Sequence, residues 1–192
     1  NHMHGDFYVL DAERGTGRAI ATPPYQVQPV HLDFAVIRGA SIEADLFARD
    51  FKINAIAMTV FGEVLDPTQG VEDLKQNRLS MVLRDALAKD PIRLLRAVRL
   101  SHQLNLTIEE ATQAAVRQLA PEIVSVAAER IQAELVKLLD IPDSDQALVT
   151  LKRYNLLPYL LPEVSGLPSG DWNHIIGLIG VLNQIPTFIR DR

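Results

Sequence analysis

Near residue 80 the hydrophobic pattern of the chain changes period, and this limits the fold more than any other feature. Upstream, short apolar runs alternate or stop at turn residues; downstream, apolar residues recur every three to four positions. Phe7 to Leu10 and Arg18 to Thr22 read as short strands around a polar turn region, and Pro23, Pro24 and Pro29 mark a loop. Val30 to Arg38 alternates, with Leu32 and Phe34 on one side and His31 and Asp33 on the other. A turn and then a short helix are expected within Ile42 to Asn54. A β-hairpin is expected over Ala55 to Val60 and Glu63 to Leu65, then a turn at Asp66 to Gly70 and a short helix over Val71 to Gln76. Beyond it, helices are expected near 83–88, 91–104, 107–119, 126–140, 143–155 and 171–183, with Thr107 and Glu110 as a capping box. The fold class is therefore α+β: a mixed portion followed by an all-helical arm, with the boundary around 75–85.

Composition narrows the partners. The chain has 192 residues, 47% of them apolar, enough for a sizeable core in one domain or two small ones. Its net charge of −5 supplies no global basic field, so a nucleic-acid partner would be held by a local patch. The absence of cysteine excludes disulfides and thiolate metal sites. No apolar run is long enough to span a membrane, and the polar opening does not read as a signal peptide, which fits a cytoplasmic protein.

The stretch from Asp90 to Leu100 concentrates the chemistry. Asp90-Pro91 is a helix start, with the carboxylate placed to cap free amides and proline at the first helical position. Leu95 and Val98 lie on one face, flanked by Leu94 and Ala97, while Arg93, Arg96 and Arg99 form a drifting basic stripe beside it. Asp90 and Arg93 are three apart and so are neighbours. A carboxylate beside a guanidinium offers acceptors next to a fork of donors, the set needed to read a nucleobase edge. A cap with a local ion pair is the alternative use of the same residues.

Four stretches in order resemble one family, the tRNA nucleotidyltransferase/poly(A) polymerase family in its bacterial, class II CCA-adding branch. Asp45-Leu46-Phe47-Ala48-Arg49-Asp50-Phe51-Lys52-Ile53-Asn54-Ala55 is similar to its DLxRRDFTINA segment. Gly62 to Leu74 is similar to its G-x-x-x-D-P-x-x-G-x-x-D-L loop. Asp90 to Leu100 resembles EDPLRxLRAVRF, and Ala128 to Leu135 resembles AERIxxEL. The resemblance implies that residues 1–80 are the C-terminal part of a nucleotidyltransferase head and residues 81–192 a helical neck and body that binds RNA.

It also implies roles. Arg49 would clamp triphosphate oxygens, Asn54 would bond the sugar, and Asp90 and Arg93 would template the incoming base, with Arg96 beside them. Asp66, Asp73, Glu129 and Arg130 would be structural, the last two bracing the base-reading helix. Asp33, in a segment resembling the family's (D/E)-x-x-x-x-R-G stretch, would be a metal-proximal catalytic carboxylate. The family's metal pair, an Asp-x-Asp after a GGxxRD loop, is missing, so the chain is expected to begin inside the head and to be inactive alone. Ala48 stands where a second arginine is usual, and Lys89 where a glutamate is usual. Asp171 to Leu178 faintly resembles the start of an HD-type domain, but such a site needs further His and Asp ligands that do not follow, so His174 reads as a plain helix residue. Phe7, Tyr25 and Trp172 are too scattered to argue for base stacking.

The resulting expectation is a fragment of an enzyme adding CMP or AMP to tRNA 3′ ends with Mg2+, using ATP and CTP. RNA would be held by Lys137, Lys152 and Arg153. A non-catalytic RNA- or protein-binding module, and a poly(A) polymerase, are the alternatives. A sheet lacking its first strands would leave an unpaired edge and favour dimerisation.

Overall fold

The structure, a computed structural model, describes residues 5–13, 15–22 and 28–184. The loop expected at Pro23 and Pro24, and Tyr25, lie outside the described residues. The chain divides into two compact units, Asn1–Asp45 and Leu46–Arg192.

The first unit is a three-stranded antiparallel sheet of β1 (Gly5–Asp11), β2 (Thr16–Ala21) and β3 (Val30–Ala35), in that order. Phe7 lies opposite Ala19, and Arg18 opposite Asp33. The Phe7 ring lies over Gly17, where a Cβ would push the end of that exposed ring aside. β3 ends three residues before the expected Arg38. Gly39 takes a positive φ of 91°, and the Arg38 amide donates to Asp45 Oδ1 at 3.1 Å instead of extending the ladder. Apolar side chains stay exposed, Phe7 at 63% and Phe34 at 55%.

The second unit holds the core. The helix expected late in Ile42 to Asn54 comes first, as α1 (Ile42–Phe47), whose end enters this unit; a 3-10 turn follows at Lys52–Asn54. The hairpin forms as β4 (Ala57–Met58) and β5 (Val64–Leu65). Asp66 accepts from the amides of Gly70 at 2.7 Å and Val71 at 2.9 Å, starting α2 (Gly70–Lys75). Glycine is needed at position 70, since a Cβ would be driven into the Lys52 carbonyl.

Next come β6 (Arg78–Leu79), α3 (Arg84–Lys89), α4 (Ile92–Gln103) and β7 (Thr107–Ile108). They are followed by α5 (Glu110–Leu119), a 3-10 helix at Ala120–Ser125, α6 (Ala128–Leu139) and α7 (Ser144–Arg153). Two one-turn helices, α8 (Leu157–Leu160) and α9 (Pro162–Ser165), lead into α10 (Ser169–Asn183).

α4 is the axis of this unit. Leu94, Leu95, Ala97 and Val98 are fully buried, and the helix packs on α6 and α7. The core continues through Phe51, Leu79, Leu87, Val116, Ile123, Leu138 and Leu151. α4 and α7 both end on an asparagine in the left-handed region, Asn105 at φ 51° and Asn155 at φ 59°. Leu106 N then donates to Ser101 O at 2.8 Å and Leu156 N to Leu151 O at 2.9 Å, which closes each helix.

Two sequence expectations are corrected here. Thr107 does not cap a helix, because Thr107 and Ile108 pair in parallel with Arg78 and Leu79. The helix starts at Glu110 with no side-chain cap, and the Thr112 hydroxyl donates to the Glu109 carboxylate at 3.0 Å while accepting from Met81 N at 2.9 Å. Tertiary strand pairing outweighs the local cap. Nor does the Asp90 carboxylate cap α4, since it is drawn away to Arg130.

Candidate nucleotide-binding site

The segment from Asp50 to Asn54 is tied to α4 by one buried carboxylate. Asp50 Oδ1 accepts from its neighbour Phe51 N at 2.9 Å and from Asn54 Nδ2 at 3.0 Å. Its other oxygen accepts from Arg96 Nε at 2.9 Å and Nη2 at 2.7 Å. Burial pushes this carboxyl up, but the Asn54 hydrogen bond, the Arg96 charge and bond, and the Phe51 amide together outweigh it. The net result lies below the usual aspartate value. Arg96 also comes within 4.0 Å of Glu134 Oε1 on α6, and Arg99 Nε donates to that oxygen at 2.5 Å while its Nη1 donates to Gln103. Of the basic stripe, Arg96 and Arg99 are thus spent on carboxylates, and Arg99 is buried.

Arg93 is fixed differently. Its Nη1 donates to Ala86 O at 3.2 Å and its Nη2 to Ala48 O at 3.1 Å, so one guanidinium spans the ends of α1 and α3. Its Nε lies 3.9 Å from Asp90 Oδ2. Asp90 is clamped from the far side by Arg130 at the start of α6, with Nη1 and Nη2 each 3.0 Å from a carboxylate oxygen. Glu129 is exposed beside it. Each member of the pair therefore has a second anchor that sets its direction, and hydrogen-bonding capacity is left on both. A cavity of about 180 Å³ lies alongside, lined by Phe47, Ala48, Leu83, Asp85, Ala86, Lys89 and Arg93. Ala48 and Lys89, the two departures from the family pattern, both line it.

The remaining candidates are more dispersed. Arg49 is exposed at the end of α1. Asp66 caps α2, and Asp73 is fully buried, accepting from Arg78 Nε at 2.8 Å and Ser80 N at 3.1 Å. Asp33 belongs to the first unit, where it accepts Arg18 Nε at 2.6 Å and Nη2 at 2.8 Å; this hydrogen bonding holds its carboxyl below the usual range. Among the described residues no group of three or more His, Asp or Glu could hold a metal ion. The described donor set therefore does not fit a two-metal centre, and no catalytic step is assigned through one. Lys137 approaches Glu134 at 3.7 Å, and His174 is exposed on α10.

Comparison with known proteins decides the family. A sequence family described as "Poly A polymerase head domain" matches residues 11–80. A second, "Probable RNA and SrmB-binding site of polymerase A", matches residues 105–167. The chain is 41% identical over 154 residues to a CC-adding tRNA nucleotidyltransferase of Synechocystis, a match covering 80% of this chain and 36% of that one. The chain belongs to the tRNA nucleotidyltransferase/poly(A) polymerase family.

Other members agree. A CCA-adding enzyme of Leuconostoc mesenteroides is 38% identical, covering 91% of this chain and 43% of its own. An A-adding tRNA nucleotidyltransferase of Deinococcus radiodurans is 37% identical, covering 89% and 40%. The chain thus spans well under half the length of these family members. Among solved structures, a CCA-adding enzyme in complex with ATP superposes with TM-score 0.77 at 26% identity, covering 88% of this chain and 42% of that one. The Bacillus stearothermophilus CCA-adding enzyme in complex with CTP gives 0.70 at 27%, covering 91% and 44%. No described helix is long and apolar enough to cross a membrane.

The sequence reading overlooked Asp50 and Glu134, which hold Asn54, Arg96 and Arg99. For Glu134 a signal existed: it falls between Ile131 and Leu138 on the apolar face of its helix, where a charge requires a partner.

Proposed function

We propose that this chain is part of an RNA nucleotidyltransferase that adds CMP and/or AMP to tRNA 3′ ends, the base being chosen by protein side chains. Residues 1–80 form the C-terminal part of the head, and residues 81–192 the helical neck and body that contacts RNA. The observation that carries this reading is the pair Asp90–Arg93. Arg130 holds the first, two carbonyls hold the second, and the cavity lined by Lys89 and Arg93 lies alongside. A carboxylate accepts from an exocyclic amine and a guanidinium donates to ring acceptors, so fixing both selects cytosine or adenine edges over uracil and guanine. Arg49 meets the triphosphate, Asn54 the sugar, and Arg96 keeps the Asn54 segment and α4 in register through Asp50.

Mg2+ belongs to this reading for the whole enzyme. Asp33 is the candidate for it among the described residues, and its carboxylate is paired with Arg18. The enzyme works in the cytoplasm on tRNA and nucleoside triphosphates, and the unpaired edges of β1 and β3 offer a route to a dimer.

The test is calorimetric titration of ATP and CTP with Mg2+ against this chain and a version extended upstream, together with incorporation into tRNA. The extended form binds both nucleotides, and Asp90→Ala or Arg93→Ala abolishes its preference over UTP and GTP. Unchanged base preference in both variants overturns the templating role. No nucleotide binding by either form leaves a non-catalytic RNA-binding module.

A further inference from the structure

A second cavity, of about 250 Å³, opens between the end of α4, the start of α5 and the end of α7. His102, Thr107, Gln113, Thr150, Arg153 and Tyr154 line it. His102 is a wall rather than a ligand, because Asp143 holds its Nδ1 at 2.5 Å and Thr150 Oγ1 its Nε2 at 2.9 Å. Gln113 is engaged as well, its Nε2 donating to Ile108 O at 2.7 Å. Tyr154 differs: only 5% of the residue is exposed, but its hydroxyl, which makes no hydrogen bond to another described residue, keeps access to solvent. Burial pushes its phenol up while Arg117 and Arg153 pull it down; the net rise keeps it a protonated donor.

The surroundings are cationic and aromatic. The Arg117 guanidinium lies 5.0 Å over the ring of the lining Tyr154. Arg153 is exposed at the cavity mouth. The lining carries no carboxylate, and the Asp143 carboxylate behind it is paired to His102. The negative ends of α4 and α7 are closed by their own backbone amides through Leu106 and Leu156, so they do not repel an anion unscreened. The volume falls below the roughly 300–1,000 Å³ usual for small-molecule pockets.

We propose that this cavity is a subsite for one sugar-phosphate unit of a bound RNA strand, with Arg153 meeting the phosphate and the Tyr154 hydroxyl bonding a sugar or phosphate oxygen. The proposal rests on the RNA-contacting role given above to residues 81–192. It adds a defined contact on the opposite end of α4 from the Asp90–Arg93 pair.

Fluorescence anisotropy with a tRNA lacking its terminal CCA, read at several salt concentrations, tests it. Arg153→Gln weakens binding about fivefold and flattens the dependence of log K on log salt by about 0.7–0.9, the loss of one phosphate contact. Arg153→Lys restores the slope. Tyr154→Phe weakens binding about threefold with the slope unchanged, since no charge is lost. Thermal midpoints of the Arg153 variants match the parent. If the parent binds this tRNA and all variants bind it equally well, the subsite is overturned while the RNA-contacting role stands. If the parent binds no RNA, that role fails and the subsite with it. If Arg153→Gln weakens ATP binding as much as tRNA binding, the cavity takes free nucleotide and the RNA assignment is overturned.

Discussion

Asp33 in the sheet unit and Asp50 in the helical unit each grip an arginine through two nitrogens, Arg18 and Arg96 respectively. Their distances are nearly equal, 2.6 and 2.8 Å against 2.9 and 2.7 Å. Their surroundings are not. The Asp33 side chain is 59% exposed and that of Asp50 only 8%. Asp50 also accepts from Asn54 and Phe51 through its other oxygen, so replacing it by an amide would leave the Arg96 cation without its acceptor in a partly dry setting. The Asp33 pair can open into water at almost no penalty. Similar distances therefore accompany one contact that maintains structure and one that is open to exchange with water.

The largest effect should come from breaking the buried side. Asp50→Asn is expected to lower unfolding stability by about 2–4 kcal/mol, measured by urea denaturation. A loss below about 0.5 kcal/mol would place Asp50 with the exposed pairs. Next comes the acid limb of the stability curve. Asp50 binds its proton less readily folded than unfolded, so the stability it adds is complete above the ordinary aspartate value of 3.8 and fades as pH falls through the lower folded value. Asp50→Asn should therefore flatten stability in that acid window relative to the parent, with no change in slope near neutrality.

A smaller effect is expected at Arg130, whose side chain is 54% exposed. Arg130→Ala should cost about 0.5 kcal/mol, and less at high salt. Its visible consequence is on Asp90, read as weakened discrimination among nucleotides in the extended protein. The smallest is Arg18→Gln, which should leave the thermal midpoint unmoved. A clear drop in midpoint would show that the sheet depends on that pair.

Much of the helical unit was legible in the chain itself. The three- to four-residue apolar period from 91 onward and the prolines between segments locate α4, α6 and α7 within a residue or two, because helix periodicity and chain breaks are local properties. The strands β6 and β7 and the one-turn helices α8 and α9 were not. The pairing of Arg78–Leu79 with Thr107–Ile108 joins segments nearly thirty residues apart, and nothing in either dipeptide announces its partner. For the site, the motif spacing pointed to Asp90, Arg93 and Arg130, yet it read Arg96 as a nucleotide contact where the structure ties it to Asp50 and Glu134.

By itself, the sequence determined the fold class, the position of the central helix and membership of the family, since these follow from period, breaks and motif order along the chain. Only the tertiary structure decided which charged groups are spent on one another. The arginines of one stripe have the same intrinsic chemistry, but Arg93 reaches two carbonyls beside a cavity while Arg99 meets a buried glutamate. That choice depends on which helix packs opposite, and the dielectric it creates sets whether the contact holds structure or stays free to bind.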